Sequence, residues 1–158
     1  MFKEYSTENY PEVINLWLKA GLSLSMSDTK EELEKVVLQK ENKFIILEEN
    51  EKIIGTIIAA FDGRRGYIHH LAVDPVHQNK GIGSLIMEHA INYFKENNVV
   101  KVHLFIDLKN SKVEKFYDKQ GWIRRDDIIL MTKTLRDEEF KILDYPETKG
   151  YLREYKNW

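Results

Sequence analysis

A short glycine-containing segment, residues 78–84, lies between a run that is typical of a strand and a run that is typical of a helix. The first run, residues 67–73, is rich in branched and aromatic residues and stops at Asp74-Pro75. After the glycines, apolar residues recur at helical spacing until Asn97. Because a further strand is predicted over residues 99–106, the order is strand, helix, strand, which implies parallel neighbours. The sequence therefore predicts a sheet that contains a parallel strand pair.

Strands and helices alternate along the rest of the chain as well. Strands are predicted over residues 2–6, 44–48, 53–61, 67–73 and 99–106, helices over about 7–20, 28–40, 81–98 and 110–121, and a last hairpin over 122–135. Asp28 and Glu31 match a capping box for the second helix. The prediction is a mixed α/β fold, mostly antiparallel, with six to seven strands and about four helices. A chain of 158 residues suits one domain, with residues 1–135 as its body and residues 136–158 as an extension whose role stays open.

The composition narrows the possible functions. The formal charge is -2 and the basic residues are scattered, so no nucleic-acid partner is expected. No apolar run is long enough to cross a bilayer and residues 1–5 show no secretory pattern, so we expect no membrane association and a cytoplasmic location. The chain has no cysteine, which excludes disulfides and a cysteine nucleophile. No His and carboxylate pair has convincing metal spacing, so no metal is expected.

The glycine segment itself suits a phosphate. A turn that leads from a strand into a helix presents unpaired N–H groups and the positive end of the helix dipole. Gly81 and Gly83 would let a ligand approach the backbone closely, although they could equally make a tight turn or pack the helix on the sheet. The segment lacks the third glycine of the dinucleotide fingerprint, and Ser84-Leu85 follows Gly83 where a P-loop has Lys-Ser or Lys-Thr.

Residues on both sides of the glycines carry a family resemblance. Leu71-Ala72-Val73-Asp74-Pro75, followed by Gln78-Asn79-Lys80-Gly81-Ile82-Gly83, resembles the signature of the GNAT N-acetyltransferase superfamily: Gln or Arg, two residues, Gly, one residue, Gly or Ala. The order of elements up to Leu135 is also similar to that family. The resemblance implies a GNAT-like twisted sheet in which two strands splay apart at the cofactor.

The resemblance also implies acetyl-CoA as co-substrate and assigns residues to it. The backbone of Leu71, Ala72 and Val73 would pair with the pantetheine arm, and the Val73 amide would face the acetyl carbonyl, where it could stabilise an oxyanion. The N–H groups of seven consecutive residues would hold the pyrophosphate, namely Gln78, Asn79, Lys80, Gly81, Ile82, Gly83 and Ser84.

Two residues of the predicted fourth helix have both a structural and a functional interpretation. Tyr117 matches the position from which family members protonate the CoA sulfur, and its helix-face spacing with Phe116 also suits a core residue. Asn110 suits an N-cap or a side-chain contact to the cofactor, and a capping box of Ser111 with Glu114 would free it for the ligand. We favour the catalytic role for Tyr117 and the cofactor role for Asn110.

A base is harder to assign, and His69 is the best candidate. Period-two geometry puts Tyr67, His69, Leu71 and Val73 on one face of their strand. Imidazole, with an ordinary pKa near 6.5, accepts a proton from an ammonium group directly or through water. The position of His69 is similar to that of a histidine in family members that acetylate aryl-alkyl amines. A half-buried structural histidine fits equally well, and the other four histidines have weaker claims.

Tyr67 and Asp62 are candidates for contacts with the substrate. Tyr67 shares the predicted face of His69, and Asp62 lies in the turn that leads into the same strand. Asp62 suits a cationic substrate, whereas Arg64 or Arg65 in the same turn suits an anionic one. The turn therefore does not identify the acceptor.

Three functions stay open at this point. The first is acetyl transfer from acetyl-CoA to a primary amine of a small molecule or peptide, by direct attack in a ternary complex. The second is a non-catalytic module or sensor that binds acetyl-CoA or CoA, and the third is binding of a free mononucleotide at the glycines. A homodimer is expected from the family resemblance.

Overall fold

The computed structural model describes residues 1–107 and 110–136, without the side chain of Ser111. The described residues contain five strands, namely β1 (Phe2–Glu4), β2 (Lys43–Glu49), β3 (Lys52–Phe61), β4 (Gly66–Val73) and β5 (Val102–Leu104). They contain four α-helices, namely α1 (Tyr10–Lys19), α2 (Lys30–Leu38), α3 (Ile82–Glu96) and α4 (Ser111–Asp118). Within these two ranges, no helix is long and apolar enough to cross a membrane.

The strands form one sheet in the order β1-β2-β3-β4-β5. The pairs β1–β2, β2–β3 and β3–β4 are antiparallel, whereas the pair β4–β5 is parallel because α3 connects these two strands. The parallel pair extends only from Gly66 opposite Val102 to Ile68 opposite Leu104, while β4 continues to Val73. The predicted mixed sheet, mostly antiparallel and splayed beside β4, is therefore confirmed.

Helices cover both faces of the sheet. On one side, Trp17 of α1 and Phe44 of β2 belong to a core that also includes α2. On the other side, Ile86 and Phe94 of α3 are buried in a second core. A Cβ on Gly66 would lie 2.7 Å from the Phe94 ring, so glycine is needed for α3 to lie this close to β4.

The predicted last hairpin is wrong for the described part of the chain. Residues 122–136 contain no strand, and Ile129 and Met131 are each 88% exposed. Alternating apolar residues become a strand only where a partner edge accepts their hydrogen bonds, and none of the five described strands pairs with this segment. The described sheet accordingly has five strands instead of six to seven. Residues 137–158, which make up most of the predicted extension, lie outside the described residues.

Asp28 does not begin α2 as predicted. Thr29 is the N-cap, and its Oγ1 accepts a hydrogen bond from the Glu32 N–H at 3.3 Å. Asp28 closes a preceding 3₁₀ turn, where its Oδ2 accepts a hydrogen bond from the Ser25 N–H at 2.7 Å. The capping box forms one turn earlier because Ser25 and Asp28 match its spacing as well. This earlier box leaves the Asp28 carboxylate buried.

A buried chain of hydrogen bonds ties α1 to the middle of the sheet. The Trp17 Nε1–H donates to the Thr56 hydroxyl of β3 at 2.7 Å. That hydroxyl donates in turn to the His70 carbonyl oxygen of β4 at 3.1 Å. Because the Thr56 and Trp17 side chains are both fully buried, water does not reach the Trp17 donor when the hydroxyl is removed.

We expect Thr56→Val to lower the free energy of unfolding by about 1–3 kcal/mol, the cost of leaving a buried polar group without a partner. Valine keeps the shape of threonine, so the loss reports the hydroxyl. Urea unfolding monitored by tryptophan fluorescence measures it. The exposed Thr132→Val is the matched control and should change stability by no more than about 0.5 kcal/mol. Equal stability of the two variants would contradict this role of Thr56.

Candidate functional site

Strand β4 carries a bulge at its centre. Thr56 of β3 pairs with Ala72 and Ile58 pairs with His69, so β4 has one residue more than β3 between these two pairs. His70 lies in the bulge with a left-handed φ of 50°, which is uncommon for any residue other than glycine. The bulge shifts the side-chain alternation of every residue that follows it in the strand.

This bulge overturns the predicted faces of β4. His69 and His70 both line a pocket on the α2 side, whereas Leu71 and Val73 pack into the core on the α3 side. The prediction that Tyr67, His69, Leu71 and Val73 share one face is therefore wrong. Period-two alternation fails here because an inserted residue reverses the direction of the side chains beyond it.

The pocket beside α2, which we call the α2 pocket, has a volume of about 220 Å³. Its apolar wall consists of Leu33, Val36, Ile58 and Ala60. Its polar wall consists of Ser27, Asp28, Asn42, His69 and His70. Among these described residues there is one carboxylate and neither lysine nor arginine. The lining thus combines apolar side chains with a single acidic group.

Asp28 and His70 form the buried end of the α2 pocket. Asp28 Oδ1 and His70 Nε2 are 2.9 Å apart, and the Asp28 side chain is only 4% exposed. The His70 ring also packs against Trp17, with ring centroids 4.2 Å apart. These contacts hold the ring of the one left-handed residue in β4 and thereby stabilise the bulge.

His69 lies beside this pair and has a lowered pKa. Burial of the ring is the main cause, and the neighbouring His70 contributes, so the pKa of His69 falls below its ordinary value of 6.5. The Asp28 carboxylate raises it by a smaller amount. His69 is therefore neutral at pH 7, the form that accepts a proton.

Two further polar rings lie near His69 where β4 and β5 begin to separate. The Tyr67 ring centroid is 6.5 Å from that of His69 and 5.9 Å from that of His103 in β5. Tyr67 and His103 face each other in the parallel pair, one residue before its last pair. The His103 Nε2 atom is buried and has no hydrogen-bond partner among the described residues. These three rings line the start of the opening, which is the gap between β4 and the chain of β5 beyond Ile68 and Leu104.

The backbone N–H of Val73 lies on the edge of β4 that borders the opening. The Asp74 N–H donates to the Ile54 carbonyl oxygen of β3 at 2.9 Å. Because N–H groups of successive strand residues point to opposite edges, the Val73 N–H points away from β3 and toward the opening. The Gln78 Nε2–H donates to the Val73 carbonyl oxygen at 3.0 Å. That hydrogen bond ties the glycine segment to the same edge.

The glycine segment is open to solvent and left-handed at two positions. Gly81 is the N-cap of α3 with a φ of 80°, and Asn79 has a φ of 59°. A Cβ added to Gly81 would meet no atom within 4 Å, so the backbone there is accessible. The first N–H groups of α3 lack intrahelical partners at this same end. The arrangement suits an anionic group.

Gly83 has a different role from Gly81. A Cβ on Gly83 would lie 3.3 Å from the Phe116 ring of α4 and 3.7 Å from Val73 Cγ2. Helix α4 therefore packs directly on the first turn of α3, and the absence of a side chain at Gly83 permits this contact. The packing interpretation of the glycines holds for Gly83, and the tight-turn interpretation holds for Gly81.

Helix α4 also carries Tyr117 and Asn110. Phe116 and Trp122 contact the Tyr117 ring edge-on, with ring centroids 5.1 and 6.0 Å away. Burial raises the pKa of Tyr117 to about 12, so the hydroxyl keeps its proton at neutral pH. Asn110 is the N-cap of α4, yet its side chain makes no capping hydrogen bond. The Asn110 amide is therefore not committed to the helix.

Asp62 is engaged in its own turn. Its Oδ1 accepts hydrogen bonds from the Arg64 N–H at 2.8 Å and the Arg65 N–H at 2.6 Å, and these bonds lower the pKa of the carboxyl. The carboxylate is exposed, and its contact with a substrate stays a prediction. In the part of the chain that the structure describes, no group of three His, Asp or Glu residues could hold a metal ion.

The comparison with protein families decides the class of this protein. The sequence model of the acetyltransferase (GNAT) family matches residues 6–122. The chain belongs to the acetyltransferase (GNAT) family. The matched range contains the strand, the glycine segment and Tyr117, from which the resemblance was inferred, so the predicted membership is confirmed.

Solved structures share the GNAT fold of this chain. A probable acetyltransferase of unknown function from meticillin-resistant Staphylococcus aureus is 27% identical, with 85% of this chain and 99% of that chain covered and a TM-score of 0.68. PaiA N-acetyltransferase from Thermoplasma acidophilum, in complex with coenzyme A, is 19% identical, with 80% and 91% covered and a TM-score of 0.71. An aminoglycoside 6'-N-acetyltransferase from Acinetobacter haemolyticus is 15% identical, with 86% and 99% covered and a TM-score of 0.70.

Sequence reasoning did not select Asp28, His70 or His103 for this site. Asp28 matches two capping patterns in the sequence: it begins one with Glu31 and ends another that begins at Ser25. The histidine doublet at residues 69 and 70 gave no sign of a bulge, because a left-handed histidine has no sequence signature. Only the pairing of β3 with β4 shows that both rings face α2.

Proposed function

We propose that this protein transfers the acetyl group of acetyl-CoA to a primary amine by direct attack in a ternary complex. The observation that carries the proposal is a pair of adjoining features: the free edge of β4 at Val73 and the open left-handed start of α3 at Gly81, tied together by Gln78. A strand edge suits the amides of a pantetheine arm, and the start of a helix suits a pyrophosphate.

The residues present fit such a co-substrate. In this proposal the backbone of Leu71, Ala72 and Val73 pairs with the pantetheine arm, and the N–H groups of residues 78–84 hold the pyrophosphate. Lys80 and Ser84 are exposed beside those N–H groups. The uncommitted Asn110 amide contacts the cofactor at the start of α4. When bound, acetyl-CoA supplies a thioester carbonyl that an amine can attack.

Three residues of the chain have roles in the transfer. Neutral His69 takes a proton from the ammonium form of the acceptor, which frees the nitrogen lone pair. The Val73 N–H donates to the carbonyl oxygen as negative charge develops on it. Tyr117 gives its proton to the sulfur as the carbon–sulfur bond breaks and the carbon–nitrogen bond forms. The nitrogen loses a second proton as the amide is completed, and Tyr117 is reprotonated, so one proton is released overall.

The function is tested with purified protein, acetyl-CoA and a broad panel of primary amines, with released thiol as the readout. The chain contains no cysteine, so it adds no background to a thiol assay. We expect turnover of at least one amine. Acetyl-CoA binding in calorimetry without turnover of any amine would contradict the enzyme and favour a CoA sensor. Tighter binding of ATP than of CoA would favour a mononucleotide site.

The role of His69 predicts a specific pH dependence of kcat. A base whose pKa lies below 6.5 is still mostly neutral at pH 6.5, so the acid limb of kcat should have its midpoint below pH 6.5. His69→Gln should remove this acid limb and lower kcat by about 10²-fold. His89→Gln on the exposed face of α3 is the control and should keep the wild-type profile. An unchanged acid limb in His69→Gln would eliminate His69 as the base.

A further inference from the structure

The α2 pocket ends at the part of β4 that borders the opening beside β5. His69 and His70 line the pocket, and Leu71 follows them directly. Only the bulged residue His70 separates His69 from Leu71 along β4. A ligand whose polar end lies at His69 is therefore close to the backbone of residues 71–73, which in our proposal pairs with the pantetheine arm. The α2 pocket is in the right place for the acceptor.

The volume of the α2 pocket indicates how much of that acceptor it can surround. An apolar cavity of about 150 Å³ holds one benzene molecule, and pockets for drug-sized ligands have about 300–1,000 Å³. At about 220 Å³, the α2 pocket accommodates a body of benzene size with a short chain. A large multi-ring acceptor would extend beyond the lining of this partly open pocket and would gain few further contacts with it.

The lining of the α2 pocket limits the chemistry of the acceptor. Leu33, Val36, Ile58 and Ala60 offer apolar contacts and no hydrogen bonds. On the polar side, the only fixed charge among the described lining residues is the Asp28 carboxylate. A carboxylate or phosphate on the acceptor would thus lack a lysine or arginine partner in the pocket, and additional ammonium groups would lack a carboxylate, because Ser25 and His70 already engage both Asp28 oxygens. An apolar body with a single amine needs no further charged partner and therefore matches this lining.

We infer that the acceptor is a compact monoamine with an apolar body and no anionic group, bound in the α2 pocket with its nitrogen toward His69. The inference rests on the proposed acetyl transfer and names its substrate class. The apolar body contacts Val36 and Leu33 of α2, so the side chains of this helix determine which amine is accepted.

The first experiment compares amines in the thiol assay. 2-Phenylethylamine and hexylamine represent the inferred class, and spermidine, glucosamine 6-phosphate and kanamycin represent multiply charged, anionic and large acceptors. We expect kcat/KM for the first two to exceed the others by about tenfold or more, as apolar pockets discriminate by this amount. Preference for any of the other three overturns the inferred class and leaves the acetyltransferase intact. If neither these five amines nor any other amine in the panel is turned over, both the inferred class and the proposed acetyl transfer are wrong.

The second experiment uses two neighbouring valines of α2. Val36 lines the α2 pocket, whereas Val37 does not line it and is exposed. Val36→Phe should lower the kcat/KM ratio of 2-phenylethylamine to ethylamine by about tenfold, because the added ring occupies space that only the larger amine needs. Val37→Phe should leave this ratio within about twofold. Acetyl-CoA affinity, measured by calorimetry, reports whether each variant is folded.

The ratio separates a filled pocket from general damage. A misfolded Val36→Phe protein loses acetyl-CoA binding and activity toward both amines together. In that case Val36→Leu, which adds less volume, replaces it and should also lower the kcat/KM ratio. If the folded variants at Val36 and Val37 have the same ratio, the acceptor does not use the α2 pocket and the inference is wrong.

Discussion

Tyr117→Phe is expected to lower kcat by about 10²-fold or more and to leave the affinity for acetyl-CoA within about twofold, because it removes a proton donor and keeps the ring. The phenylalanine retains the edge-on contacts with Phe116 and Trp122. Since burial raises the pKa of Tyr117 to about 12, the wild-type protein keeps this donor through the neutral and moderately alkaline range. Steady-state kinetics with the best amine and calorimetry with acetyl-CoA measure the two effects.

Tyr93→Phe is the matched control for the loss of a tyrosine hydroxyl. The Tyr93 hydroxyl of α3 donates to the Glu41 carbonyl oxygen, and no catalytic role is assigned to it. We expect its kcat to stay within about twofold of wild type. The catalytic assignment of Tyr117 is wrong if Tyr117→Phe turns over every tested amine at the wild-type rate, or if the Tyr93 variant loses as much activity.

Gly81→Val is expected to weaken acetyl-CoA binding by about tenfold, because a left-handed conformation costs an L-residue roughly 1–2 kcal/mol and a β-branched one at least that much. A Cβ at Gly81 meets no atom within 4 Å, so the variant introduces no clash with the rest of the protein. The exposed segment instead adopts another backbone conformation, and binding must restore the left-handed one. Calorimetry with acetyl-CoA measures the change.

Gly81→Asn separates the backbone conformation from the added side chain. Asparagine places a Cβ at the same position but tolerates a positive φ far better than valine. We expect its acetyl-CoA affinity to remain within a few-fold of wild type, and the melting temperatures of both variants to stay close to it. Equal losses in the two variants would show that any side chain at residue 81 blocks the ligand, which removes the conformational explanation.

The parts of the fold that the sequence predicts well depend on local rules. The β2–β3 hairpin, the glycine start of α3 and the mixed sheet all follow from apolar periodicity, glycine positions and the need for a crossover helix. The candidate cofactor segment could be predicted for the same reason. Gly81 adopts its left-handed φ within a few residues of chain, and the free N–H groups belong to the start of one helix.

The parts that the sequence predicts poorly depend on partners far away in the chain. Residues 122–135 alternate as a strand would, yet no described strand pairs with them. Asp28 matches two overlapping capping patterns, and its contact with His70, 42 positions further on, exists only once the turn at residues 25–28 lies beside β4. Local periodicity contains no information about whether a segment finds a strand partner or which distant side chain a residue contacts.

The sequence by itself determined the family, the glycine segment and the residue types available for proton transfer, because each is encoded within a short stretch of chain. Only the tertiary structure decided which of them face one another. The bulge at His70 turns both histidines toward α2 and leaves Leu71 and Val73 on the other side of β4. A bulge is a mismatch between two paired strands, so it becomes visible only when β3 and β4 lie side by side.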